Sequence, residues 1–89
     1  MYELWLRETV KREFEKLKQH DRRRIEIIDR KIEQILQDPY MFKPLRAPMQ
    51  HMRRVHVDKS HVLVYSIDET KKRIYVERYK HHDDAYRHY

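Results

Sequence analysis

The chain has 89 residues, a net charge of +6 and a pI of about 9.7, which predict one domain with a thin core and a polyanionic partner. It contains no cysteine and no glycine, which excludes disulfides, thiolate metal sites and glycine-rich phosphate loops. No apolar run is long enough to cross a membrane and no signal-peptide pattern opens the chain, so we expect a cytoplasmic location.

The first half of the chain predicts a short strand followed by two helices. Residues 2–7, YELWLR, alternate and are rich in aromatic and branched side chains, as is typical of a strand. From Glu8 the apolar residues recur at helical spacing instead, at Val10, Phe14 and Leu17. A second helix is expected to begin near Asp21, a candidate N-cap, and to end before Pro39. Its apolar stripe consists of Ile25, Ile28, Ile32 and Ile35.

The second half changes to a period of two and predicts three strands joined by hairpin turns. RRVHV at residues 53–57 turns Val55 and Val57 to one side, and HVLVYSI at residues 61–67 turns Val62 and Val64 the same way. RIYVERY at residues 73–79 opposes two aliphatic positions to four polar or aromatic ones, Arg73, Tyr75, Glu77 and Tyr79. The sequence therefore predicts a single α+β domain over residues 1–89, in the order β-α-α-β-β-β. A helical hairpin would cover the aliphatic face of a small antiparallel sheet and leave a basic face open.

The open basic face is a candidate surface for single-stranded RNA. Guanidinium groups hold phosphates through paired hydrogen bonds, and tyrosines at positions 65, 75 and 79 would stack on unpaired bases. The alternative is that these tyrosines pack against the tail and the arginines only keep the sheet edge soluble. The candidate RNA-binding residues are Arg46, Arg53, Arg54, His56, Lys59 and His61.

The tail, YKHHDDAYRHY at residues 79–89, has the parts for acid–base chemistry. Adjacent histidines point to different sides of a strand or helix, so the spacing disfavours a metal site, and no metal or cofactor is expected. Imidazoles titrate near neutrality and carboxylates can orient them, which suits metal-free cleavage of RNA; the alternative is a solvated polar end. The candidate catalytic residues are His81, His82, Asp83, Asp84 and Tyr86.

The order of elements resembles that of the RelE/ParE toxin superfamily. The resemblance is carried by PLR at residues 44–46, RRVHV, HVLVY and the histidine-containing end, and it extends to a histidine-rich archaeal branch. It implies an RNase-like fold and a toxin that is neutralised by an antitoxin in a hetero-oligomer. RelE and YoeB members cut mRNA in the ribosomal A site without metal, by attack of a 2′-hydroxyl on the adjacent phosphate. On this alignment His81 takes the position of the YoeB histidine, His82 that of the tyrosine after it, and Tyr86 that of the RelE C-terminal tyrosine.

Two positions depart from the family pattern. Val62 replaces a strand arginine and Lys43 replaces the carboxylate that serves as general base in YoeB-type toxins. Against the family pattern, the transition-state cation is then either missing or supplied by Arg46, Arg53 or Arg54. We nominate His81 or His82 as the base, with Asp83 or Asp84 orienting it. The alternative within the same fold is a protein without chemistry, either a ParE-like gyrase inhibitor or a degenerate toxin. A small DNA-binding protein is a weaker alternative, because no helix-turn-helix spacing is present.

Overall fold

The computed structural model describes residues 1–81 and confirms the predicted α+β fold and order of elements. The elements are β1 (Glu3–Leu6), α1 (Glu8–His20), α2 (Arg22–Gln37), β2 (Met52–His56), β3 (His61–Asp68) and β4 (Arg73–His81). Four candidate catalytic residues, His82, Asp83, Asp84 and Tyr86, lie outside the described residues. Within residues 1–81, no helix is both long and apolar enough to span a membrane.

The four strands form one mixed sheet in the order β1-β4-β3-β2. Strands β2, β3 and β4 pair antiparallel through two hairpins, as predicted, whereas β1 pairs parallel with β4. Parallel pairing needs a long connection, and here the helical hairpin and two strands separate the partners along the chain. Strand β1 therefore occupies one edge of the sheet and β2 the other.

Both helices pack on one face of the sheet through the predicted apolar stripes. Val10 and Phe14 of α1 are buried, and so are all four isoleucines of the α2 stripe. The Asp21 carboxylate caps α2 by accepting a hydrogen bond from the Arg24 backbone N–H at 3.2 Å. Burial of these stripes against the sheet supplies most of the stability of two helices that are otherwise highly charged.

The prediction that Val62 and Val64 face the helices is wrong. Leu63 and Tyr65 belong to the core cluster under the helices, while Val62 and Val64 pack on the opposite face against Leu45. The loop between α2 and β2 brings Leu45 over that face, so β3 is apolar on both sides and its alternation is lost. The open face is therefore partly covered.

A β-bulge in β4 also changes which side chains share a face. Val64 pairs with Arg78 and Tyr65 pairs with Val76, which leaves Glu77 as an extra residue between them. After Glu77 the alternation is reversed, so Tyr79 turns under the helices, where it is only 6% exposed. Tyr65 is fully buried and donates its hydroxyl hydrogen bond to the Pro39 carbonyl at 2.6 Å. The predicted stacking of bases on Tyr65 and Tyr79 is therefore wrong.

Candidate nucleic-acid interface

Three cations, Arg54, Arg78 and Lys80, lie with His56 in two rows across the sheet, on the face opposite the helices. The strand register gives Arg54, Val64 and Arg78 in one row, and His56, Val62 and Lys80 in the next. Cross-strand partners share a face, and neighbouring strands are ~4.8 Å apart, so the outer members of each of these two cation rows are about 10 Å apart. A buried valine separates the members of each row, and Leu45 packs on both valines.

A surface pocket adjoins these rows at the β2 edge. It is formed by the loop that carries Leu45 and by Arg54 and His56, with a volume of ≈560 Å³. Arg46 lies in the same lining and is exposed. The structure thus brings together three of the predicted RNA-binding residues, and the pocket is within the size range of sites that bind small organic groups.

The other predicted RNA-binding residues lie elsewhere. Arg53 donates to the Phe42 carbonyl at 2.6 Å, and its guanidinium lies 5.1 Å from the centre of the Tyr40 ring, so it holds the α2–β2 loop. Lys59 is exposed in the turn between β2 and β3. His61 faces the helix side of the sheet, because it shares the alternation of Leu63 rather than that of Val62.

His61 belongs to a polar cluster at the N-terminus of α2. The Arg24 guanidinium donates to His61 Nδ1 at 2.7 Å and to the Tyr79 hydroxyl at 3.2 Å, and it pairs with the Asp58 carboxylate at 3.3 Å. His61 stacks on Tyr79 with ring centres 5.3 Å apart. Burial would raise the pKa of Asp58, but the backbone N–H groups of the turn and Arg24 outweigh it, so its pKa is lowered. The cluster ties α2 to the β2–β3 turn and to β4.

His81 lies beside this cluster and not beside the cation rows. It pairs with His61 in the register, and the two imidazoles meet edge to face with centres 5.8 Å apart. Strand alternation therefore places His81 on the face opposite Arg54 and His56. Among residues 1–81, no group of three or more histidine or carboxylate side chains is arranged to hold a metal ion.

Sequence reasoning missed Arg78 and Lys80. A regular strand would have turned Tyr79 to the open face and Arg78 and Lys80 under the helices. The bulge at Glu77 reverses these positions, so Arg78 and Lys80 lie on the open face. The signal in the sequence is the polar pair Glu77-Arg78 between the apolar Val76 and Tyr79, since two successive polar residues break a strict alternation.

Sequence comparison places the chain among proteins of similar length. A family model described as the ParE toxin of the type II toxin–antitoxin system parDE matches residues 5–86. An uncharacterized protein of Methanosarcina mazei is 45% identical over 97% of this chain and 100% of its own length. A protein of Methanocaldococcus jannaschii assigned as toxin RelE4 is 37% identical over 98% of this chain and 93% of its own length.

Solved structures with the same fold include two bacterial toxins. A YoeB/ParE toxin from Agrobacterium tumefaciens superposes with a TM-score of 0.81 at 21% identity, over 92% of this chain and 99% of the other. The YoeB–YefM complex from Staphylococcus aureus gives a TM-score of 0.78 at 14% identity, over 92% of this chain and 98% of the other. At these identities the likeness shows the fold.

Proposed function

The chain belongs to the family of ParE toxins of type II toxin–antitoxin systems, and from that membership we propose that it is an RNA-directed toxin that cuts mRNA without a metal ion. Its place of action would be the cytoplasm, at the ribosomal A site. The observation that carries this proposal is the pair of cation rows, whose middle members are Val64 and Val62. Positive charge spread over about 10 Å of the sheet, at Arg54, Arg78 and Lys80, suits a flexible, single-stranded polyanion.

The proposed reaction is an internal transesterification. The ribose 2′-hydroxyl loses its proton to a base, its oxygen forms a bond to phosphorus, and the bond to the 5′-oxygen breaks as that oxygen gains a proton. Arg54 and Arg78 would stabilise the charge that develops on the phosphate oxygens. Where the family resemblance expects a cation at Val62, His56 and Lys80 stand on either side of that position. His56 is the acid–base candidate on the same face as Arg54 and Arg78, whereas His81 lies at the end of β4 on the opposite face, and the other candidates follow residue 81.

Paired variants test the cation rows. Arg54→Ala removes a cation from the first row, whereas Arg30→Ala removes an exposed cation from α2. We expect Arg54→Ala to weaken the binding of single-stranded RNA. The slope of the log binding constant against log salt concentration should become shallower by ~0.7, which corresponds to the loss of one phosphate contact. Arg30→Ala should leave both unchanged. Equal losses in the two variants would mean that only net charge matters and would remove the sheet face from the proposal.

Cleavage is tested in cells by primer extension on mRNA after induction of the toxin. We expect cuts at ribosomal A-site codons and an arrest of translation. Separate His56→Ala, His81→Ala and His82→Ala variants, with His20→Ala at the end of α1 as control, then assign the acid and base. Intact mRNA together with continued translation would refute the proposed reaction.

A ParE-like inhibitor of gyrase is the second candidate. It is favoured by the ParE family match and by the apolar Val62 at the centre of the face. This activity would leave mRNA intact and inhibit supercoiling by purified gyrase. Primer extension on mRNA from induced cells and the supercoiling assay with purified toxin therefore give opposite results for the two candidates.

A cognate antitoxin is the proposed protein partner. The structural neighbour from Staphylococcus aureus is a YoeB–YefM complex, and the net charge of +6 favours an acidic partner segment. We expect the product of an adjacent small acidic gene to form a hetero-oligomer with this chain and to abolish growth arrest. If no such gene product binds or protects, the toxin–antitoxin pairing proposed here is wrong.

A further inference from the structure

An aromatic pair shares the sheet face with the cation rows. Trp5 of β1 pairs with Tyr75 of β4, and Tyr75 pairs with Ser66 of β3. Ser66 lies two residues beyond Val64 in β3, so all four side chains project from the face opposite the helices. Two residues of β4, Val76 and the bulge residue Glu77, separate Tyr75 from Arg78. Their partners Ser66 and Val64 are two residues apart in β3, so the two positions lie about 7 Å apart along the strand.

Arginines flank both rings. The Arg73 guanidinium lies 4.3 Å from the centre of the Trp5 ring, and the Arg7 guanidinium lies 4.8 Å from the centre of the Tyr75 ring. The two aromatic rings are 6.1 Å apart and tilted by 52°. Arg73 also donates to the Tyr75 hydroxyl at 3.4 Å, so it contacts both rings, while Arg7 lies over the Tyr75 ring.

Carboxylates fix both arginines in place. Arg73 Nε donates to the Glu3 carboxylate at 3.1 Å, and the Trp5 indole N–H donates to the same oxygen at 3.0 Å. Arg7 Nε donates to the Glu77 carboxylate at 2.8 Å. A planar ligand would therefore meet groups whose rotamers are already restricted, which lowers the entropy lost on binding. Trp5 nevertheless remains 44% exposed at the sheet edge.

We propose that Trp5 and Tyr75, with Arg7 and Arg73, form a stacking platform for an unpaired base of the RNA strand whose phosphates contact the cation rows. This inference rests on the proposed RNA-directed function. Every base has a π-face, so stacking on tryptophan, tyrosine and guanidinium planes is tolerant of sequence. A duplex would keep its base faces covered, so the platform selects single-stranded RNA.

Trp5 is the only tryptophan of the chain, so its fluorescence reports directly on the platform. The probe is a 2′-O-methyl RNA oligonucleotide, which lacks the attacking hydroxyl and cannot be cut, together with an abasic oligonucleotide of equal length and equal phosphate count. Both are titrated at about 50 mM salt, where phosphate contacts are strong. We expect the base-containing strand to quench Trp5 and to bind about five- to hundredfold more tightly than the abasic strand.

Leu4→Ala is the matched control for Trp5→Ala. Leu4 is the preceding residue of β1, is 40% exposed and faces the helix side through its pairing with Ile74. Trp5→Ala should abolish the preference for the base-containing strand, Trp5→Phe should retain part of it, and Leu4→Ala should retain all of it. Far-UV circular dichroism checks that each variant is folded. The quenching of Trp5 fluorescence is measured in the unaltered chain, so that test does not depend on the folding of any variant.

Two results would overturn the platform, and they bear differently on the function. If both strands bind equally, Trp5 is not quenched and Arg54→Ala still weakens binding, the platform is wrong and the RNA-directed function stands. If neither strand binds at low salt and mRNA remains intact in induced cells, the RNA-directed function is wrong as well.

Discussion

Replacing Arg24 by methionine should destabilise the fold more than any other change to the charges of α2. Arg24 is the third residue of α2, and its guanidinium joins the helix to the β2–β3 turn and to β4. Methionine keeps an unbranched apolar stem and has a helix propensity similar to that of arginine, so the substitution removes mainly the donors and the charge.

The contacts of Arg24 set the size of the loss. The hydrogen bond to Tyr79 is charge-assisted and its acceptor is only 6% exposed, so its removal costs about 1.5 kcal/mol or more. The bond to His61 Nδ1 at 2.7 Å adds roughly 0.5–1 kcal/mol. The Arg24 guanidinium also pairs with the carboxylates of Asp58 and Asp21, each at an N–O distance of 3.3 Å. Both ion pairs are partly exposed, so together they add only ~0.5 kcal/mol. The expected total is about 2–3 kcal/mol.

Urea unfolding followed by circular dichroism measures this loss, with Arg23→Met as the control. Arg23 is the neighbouring residue of α2 and is exposed, so both variants remove one cation from the same helical turn. We expect the control to change the free energy of unfolding by less than about 0.5 kcal/mol. The Arg24 variant should lose roughly 10–20 °C in Tm. Equal midpoints for the two variants would show that the polar cluster adds nothing to stability.

Two further predictions concern acid and a buried hydroxyl. Burial would raise the pKa of Glu77, but the hydrogen bonds, first that from Arg7, outweigh it, so the pKa is lowered in the folded state. A lowered carboxyl pKa stabilises the fold above its unfolded value of about 4.3, and this stability disappears as the pH falls through the folded value. Between about pH 5 and pH 2, the free energy of unfolding should therefore depend less on pH in Glu77→Gln than in the unaltered chain. The same slope of free energy against pH in both proteins would contradict this. Tyr65→Phe should cost about 1–1.5 kcal/mol in urea, because it leaves the Pro39 carbonyl without its 2.6 Å hydrogen bond. Tyr75→Phe, at a half-buried site, is the control. If Tyr65→Phe lowers the free energy of unfolding by no more than this control does, the estimate is wrong.

The helices could be predicted from the sequence because their signals are local. The spacing of Val10 and Phe14, the isoleucine stripe of α2 and the cap at Asp21 all lie within single helical turns. The three later strands and their short hairpins were predicted for the same reason: each depends on neighbours in the chain. Apolar periodicity then decides which face of each helix is buried.

The faces of the strands could not be predicted, because they depend on partners distant in the chain. Residue 45 covers Val62 and Val64, so a strand with both faces buried carries no alternating pattern. The bulge at Glu77 reverses the alternation of β4, and nothing in that strand alone fixes its register against β3. Both effects changed the candidate site: Tyr79 and His81 lie on the helix side, while Arg78 and Lys80 join the open face.

The sequence by itself determined the type, order and approximate bounds of the elements, since hydrophobic spacing and capping act over a few residues. Only the tertiary structure decided the parallel pairing of β1 and the arrangement of the cations into two rows. Those features arise from hydrogen bonds between strands far apart in the chain, and a shift of one residue in such pairing moves every following side chain to the other face.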